Sequence, residues 1–127
     1  MDKGFESSVQ KQSLRVSQLK RKLDGSEDAD IIMMNILEVF KESEFIPDVG
    51  GHYTFIYIPK TPDITYDEHP LVVVTEIQKW GFKGFNYHWR MMRNYTWIEI
   101  KGKLHVVKYE ELDEMLSIPY AKFRLNK

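Results

Sequence analysis

The sequence predicts an α+β domain: two N-terminal helices followed by a small, strongly bent antiparallel sheet or an SH3-like, partly open β-barrel. Three observations predict it. Apolar residues recur at helical spacing up to about residue 44 and at strand spacing from His52 onward. The aromatic residues, seven Tyr, seven Phe and three Trp in the chain, cluster between Phe45 and Trp97, as half-buried pleated surfaces favour. A chain of 127 residues with 43% hydrophobic and 29% charged residues has the size and composition of one packed domain. The expected organisation is a single domain over residues 1–127, with a helical segment at 1–48 and a β-rich module at 49–127.

Phe5, Val9, Val16, Leu19 and Leu23 lie on one helical stripe. Lys11, Arg15, Lys20, Arg21 and Lys22 surround it, so the helix either lies solvated on the domain, docks on a partner or reaches nucleic acid as a basic arm. Asp24-Gly25-Ser26 breaks this helix, and Ser26 is placed to N-cap a second one. The second helix is expected from Asp28 to about Glu44, with acidic residues in its first turn and an apolar face of Ile32, Ile36, Val39 and Phe40.

Strands are expected at His52–Ile58 and Leu71–Ile77, with a loop at Pro59–Asp63 and a turn at Tyr66–Pro70. Trp80–Phe85 reads as a turn whose glycines serve unusual backbone angles or close approach, followed by a short strand at Phe85–Trp89. Tyr95–Ile100 and Leu104–Tyr109, separated by Lys101-Gly102-Lys103, read as a hairpin. A short helix at Glu110–Leu116 and a last strand within Tyr120–Lys127 complete the expectation.

Composition removes several classes of function. Without cysteine there is no disulfide framework, no cysteine–zinc site and no thiol nucleophile. The polar stretch Met1–Lys22 lacks the apolar core of a signal peptide, and no apolar run reaches membrane-spanning length, so a cytosolic origin is expected. No phosphate loop, nucleophile elbow or HExxH motif occurs. The net charge of −1 conceals segregation: residues 1–23 carry +4, 24–48 carry −7, 49–79 carry −2 and 80–127 carry +4.

Two groups of residues carry chemistry. Lys79, Trp80, Lys83, Tyr87, Arg90, Arg93, Tyr95 and Trp97 interleave cations with aromatic rings, and Lys101 and Lys103 add charge. That composition suits phosphate contact combined with base stacking, or contact with a protein partner. Tyr66-Asp67-Glu68-His69, with His52 and His88, offers carboxylates and imidazoles for a metal. However, adjacent Asp67 and Glu68 point to opposite sides of an extended chain, so the expected role of Asp67 is to accept backbone N–H bonds before Pro70. Asn86 and His88 are likewise expected to serve architecture. No metal and no cofactor is expected.

The stretches Tyr57-Ile58-Pro59-Lys60-Thr61-Pro62, Tyr66-Asp67-Glu68-His69-Pro70-Leu71-Val72 and Gly81-Phe82-Lys83-Gly84-Phe85-Asn86-Tyr87-His88-Trp89 carry a resemblance over roughly residues 53–97. This region resembles a group of small virion-associated proteins of tailed bacteriophages, some labelled DNA end protector. The resemblance implies a non-enzymatic structural or assembly component of the phage particle, at the head–tail connection or the packaged genome end. Its partners would be other virion proteins, or its own copies in a ring, and double-stranded DNA. It would reside in the host cytoplasm during assembly and then in the virion. The helix bearing Lys11, Arg15, Leu19, Lys20 and Arg21 would dock on a neighbour. The residues alone leave two other readings open: an independent DNA- or RNA-binding β-barrel module, and a small metal-dependent nuclease using Asp67, Glu68, His69 or His88.

Overall fold

The computed structural model of the chain describes residues 14–126. Its elements in order are α1 (residues 14–22), α2 (Ala29–Val39), β1 (Ser43–Glu44), β2 (His52–Tyr57), β3 (Ile64–Asp67), β4 (Leu71–Ile77), β5 (Gly81–Asn86), β6 (Met91–Thr96), β7 (Ile100–Val107), α3 (Leu112–Leu116) and β8 (Phe123–Asn126). One-turn 3₁₀ segments at Trp97–Glu99 and Tyr109–Glu111 precede β7 and α3. Six strands form one antiparallel sheet in the order β1-β7-β2-β4-β5-β6, and β3 pairs with β8 as a separate two-stranded ribbon. The fold class is α+β, and the sheet does not close into a barrel.

The sheet is covered on both faces. Paired Tyr53 and Val72 point to one side, where they join Phe55, Tyr57, Val74, Phe82, Tyr95 and Leu104 in an aromatic core. Phe55, Tyr57, Phe82 and Tyr95 meet mostly edge to face, at centroid distances of 5.0–6.3 Å. On the other side Leu71 and Val107 meet the helices through Val16, Leu19, Ile32, Met33, Ile36, Phe40, Met115 and Tyr120. Helix α1 therefore turns Leu19 into the domain, where it is fully buried. The predicted upstream part of that helix, including Phe5, Val9 and Lys11, lies outside the described residues.

Several boundaries differ from the sequence expectation. Asp28, not Ser26, caps α2: its carboxylate accepts the Ile31 N–H at 3.0 Å, while Ser26 bonds to Asp24. Helix α2 ends at Val39 rather than near Glu44, because Ser43 and Glu44 pair with His105 and Leu104 as β1. Residues 64–67 form a strand, since β8 arrives to pair with them, and the turn shrinks to Glu68-His69-Pro70. The turn expected within Trp80–Phe85 falls at its start, where Gln78 and Gly81 exchange backbone bonds around Lys79-Trp80, and the rest of the stretch is strand β5. Its glycines meet a packing need, not a special backbone angle: a Cβ on Gly81 would lie 1.8 Å from the Tyr95 carbonyl oxygen. The predicted strand Phe85–Trp89 ends at Asn86, because Arg90 takes a left-handed φ of 57° and closes the turn into β6.

The expected hairpin is also absent. Gly102 has φ +81°, as a turn glycine would, but it sits in a bulge within the continuous strand β7. Thr54 pairs with His105 while Ile56 pairs with Lys101, so β7 spends extra residues there against β2.

Arg15 fixes α1 to the sheet side of the domain. Its guanidinium makes a two-pronged pair with Glu111 at 2.5 Å on each arm, donates to the Val106 carbonyl at 3.3 Å and lies 4.1 Å from the Phe40 ring centroid. Glu111 is fully buried. Removing one partner of such a pair strands a buried charge. Arg15→Met is expected to lower stability by about 3 kcal/mol in urea unfolding, and adding Glu111→Met should restore much of that loss.

Candidate functional site

The Tyr66–Pro70 segment leaves the ribbon and enters β4 between the two cores. The Tyr57 N–H donates to the Glu68 carbonyl at 2.9 Å and the Glu68 N–H donates to the Lys122 carbonyl at 2.8 Å, so the segment is held from both sides. As expected for adjacent residues in extended chain, Asp67 and Glu68 diverge. Two polar clusters result.

The first is buried around Asp67. One carboxylate oxygen accepts the His69 N–H at 2.9 Å, the predicted turn bond, and the other faces Asn86 Nδ2 at 3.4 Å and His88 Nδ1 at 3.6 Å. Asn86 also donates to the Tyr95 hydroxyl at 3.0 Å and accepts the Trp89 N–H at 2.9 Å. The His88 ring lies edge-on to Tyr120 at 5.1 Å. Burial pushes the Asp67 carboxyl up to about 6, against the pull of its hydrogen bonds, and pushes the His88 imidazole down to about 4. Burial also raises the Tyr95 and Tyr120 hydroxyls. The Asp67–His88 contact is therefore that of two groups each driven toward neutrality, not a strong ion pair.

The second cluster opens on a cleft of about 340 Å³ whose apolar wall includes Met33, Met34, Ile56 and Ile58. His69 Nδ1 lies 2.8 Å from the Tyr120 carbonyl oxygen, and its Nε2 lies 3.4 Å from Asp30. Lys122 reaches Asp30 at 2.5 Å and Glu68 at 3.8 Å, and Arg124 donates to Glu68 at 2.8 Å. The hydrogen bond from Lys122 holds the Asp30 carboxyl below its usual range. The network joins α2, the β3–β4 turn and the last strand.

The four residues of the nuclease reading are thus divided: Asp67 and His88 face the interior, and Glu68 and His69 face the cleft. Asp30, Lys122 and Arg124 were not singled out by the sequence, because nothing in their spacing links them to Glu68 or His69.

The basic and aromatic residues do not form one surface. Lys83 pairs with Glu76 at 3.6 Å, Arg93 stacks 4.5 Å from the Trp89 ring and donates to the Thr65 carbonyl at 3.2 Å, and Lys103 sits 4.9 Å from the Phe45 ring. Trp97 packs on Phe82 at 5.7 Å and donates to the Lys79 carbonyl at 2.9 Å. Tyr87 is half-buried against Phe85 and His52. Trp80, Arg90 and Lys101 are exposed, but Lys101 and Lys103 lie on β7, which β2 and β4 separate from β5. Of the helix residues, Arg15 and Leu19 turn inward, and Lys20 and Arg21 face solvent.

Large apolar side chains are exposed instead. Phe45, Ile46 and Ile98 are 72%, 68% and 80% exposed. Phe45, Ile46, Trp97 and Ile100 line one cleft, Ile58, Ile98 and Ile100 line the next, and Ile58 continues into the cleft beside Met34. The shared residues Ile100 and Ile58 make this a continuous belt.

No protein-family model, curated protein or solved structure matches the chain.

The buried pair has a distinctive pH signature. The raised Asp67 value favours the fold at low pH, and that contribution is lost as pH rises from 3.8 to about 6. The lowered His88 value favours the fold above pH 6.5, and that contribution is lost as pH falls to about 4. The two oppose each other between pH 4 and 6. Asp67→Asn should therefore gain stability more steeply than wild type across that window, by about 2 to 3 kcal/mol in urea midpoints converted to free energy. Equal slopes would mean that Asp67 is charged in the fold.

Proposed function

We propose that the chain is a non-enzymatic assembly component of a tailed-phage particle, docking through its apolar belt on other virion proteins or on its own copies in a ring. The single observation that carries this reading is the belt from Phe45 and Ile46 through Ile98 and Ile100 to Ile58 and Met34. A lone exposed apolar residue is ordinary, but a continuous run of them beside two filled cores marks a surface that is covered in use. The resemblance in residues 53–97 supports a phage particle, with a place at the head–tail connection or the packaged genome end; the short strands and close turns support the SH3-like, partly open form of the sheet. Lys60, Lys101 and Lys103 flank the belt and would steer an acidic partner face.

The test is co-assembly. The chain is mixed with the structural proteins of a tailed-phage particle, and oligomer mass is followed by light scattering after size exclusion. Ile98→Lys should abolish association and leave the melting temperature within a few degrees, since the side chain contacts mostly solvent. A wild-type chain that stays monomeric and binds none of these proteins would sink the proposal.

A further inference from the structure

The geometry points to a binding site for one divalent first-row transition cation of the zinc class, held by His69 Nε2 and by one carboxylate oxygen each from Asp30 and Glu68. Their ligand atoms all lie within 4.8 Å of one another, and His69 Nε2 is 3.4 Å from Asp30 Oδ1. A tetrahedral zinc ion with bonds of about 2.0–2.1 Å sets its ligand atoms roughly 3.3 Å apart. The His69–Asp30 spacing already matches that value, and the Glu68 carboxylate, within 4.8 Å of both, closes on the ion by a side-chain rotation.

The imidazole is oriented for the task. Nδ1 faces the Tyr120 carbonyl oxygen at 2.8 Å, an atom that only accepts, so in the neutral imidazole Nδ1 carries the proton and Nε2 presents its lone pair to the cleft. Burial of the side chain, 5% exposed, prevents it from turning away. A lone pair facing a carboxylate at 3.4 Å sets acceptor against acceptor, and a shared cation relieves that opposition. One imidazole and two carboxylates form a donor set suited to zinc and manganese, and the remaining coordination position faces the cleft.

The protein's own cations compete for the same carboxylates. Lys122 bonds Asp30 at 2.5 Å, and Arg124 bonds Glu68 at 2.8 Å. Both are more exposed, at 35% and 57%, than Glu68 at 11%, so they swing into solvent when an ion enters. Their competition lowers affinity for the ion, and removing Lys122 should tighten it. A bound ion would tie α2 to the β3–β4 turn. This inference is independent of the assembly reading.

The experiment titrates zinc ion into the full chain by calorimetry at neutral pH in a non-chelating buffer, with melting curves in parallel. One ion should bind per chain and raise the melting temperature. Lys122→Met should tighten binding about tenfold, an outcome that a purely internal ion-pair network does not produce. His69→Ala should abolish binding. Asp30→Asn, at the exposed rim, repeats that loss in a variant whose fold is not at risk. Absence of binding in both wild type and Lys122→Met overturns the site, as does binding unchanged by His69→Ala and Asp30→Asn.

Discussion

The buried Asp67 carboxyl is the constraint around which the two halves of the β module are arranged. A carboxyl taken out of water must be given hydrogen bonds or a proton. Here it receives the His69 N–H and Asn86 Nδ2, and it stays largely uncharged at mildly acid pH. Asn86 passes the demand on to the Tyr95 hydroxyl and the Trp89 N–H. Each bond fixes a different element: the β3–β4 turn, the end of β5, the start of the turn into β6 and the far end of β6. The aromatic core is then closed by Tyr95, which stacks edge-on with Phe55 and Tyr57. Asp67, Asn86 and His88, from three separate stretches of the chain, are members of this network.

What the sequence revealed depended on the range of the interaction. The bounds of β4 and the bond from Asp67 to the His69 N–H were legible because both are decided within a few residues. The same local logic misread Gly102: a glycine between lysines and flanked by alternating apolar residues looks like a hairpin tip. Its meaning changes because β7 pairs with β2, some fifty positions earlier, and the register between the two strands shifts there. Strand β3 was read as a turn for a related reason, since its partner is the last strand of the chain. In the candidate sites, the divergence of Asp67 and Glu68 followed from alternation along an extended backbone. The meeting of Asp30 with His69 did not, because helix packing brings them together.

The inward roles of Arg15 and Leu19 change how the basic N-terminal stretch is understood. A cation beside an apolar stripe was equally compatible with a partner surface. Buried Glu111 decides the matter for Arg15, and full burial decides it for Leu19. Cationic side chains elsewhere are similarly engaged, with Glu76, with Trp89 and with Phe45. The exposed surface that remains unusual is apolar, and it lies along the 3₁₀ segment Trp97–Glu99 and its neighbours. Glu99 anchors that segment by accepting from the Tyr57 hydroxyl, the Lys60 N–H and the Thr96 hydroxyl, which holds Ile98 outward.

The β3–β8 ribbon has a consequence for biogenesis. Residues 64–67 are made early, but their pairing partner, residues 123–126, leaves the ribosome some sixty residues later. Until then the Glu68 N–H lacks the Lys122 carbonyl, and the walls around Asp67 and His88 lack Tyr120. The nascent chain can build its sheet strand by strand, but it cannot seal its polar centre. Folding of the centre is therefore gated by closure of a long loop between residues 67 and 123. Native-like burial of Asp67 is in effect a checkpoint passed only once residues 120–126 have joined the fold.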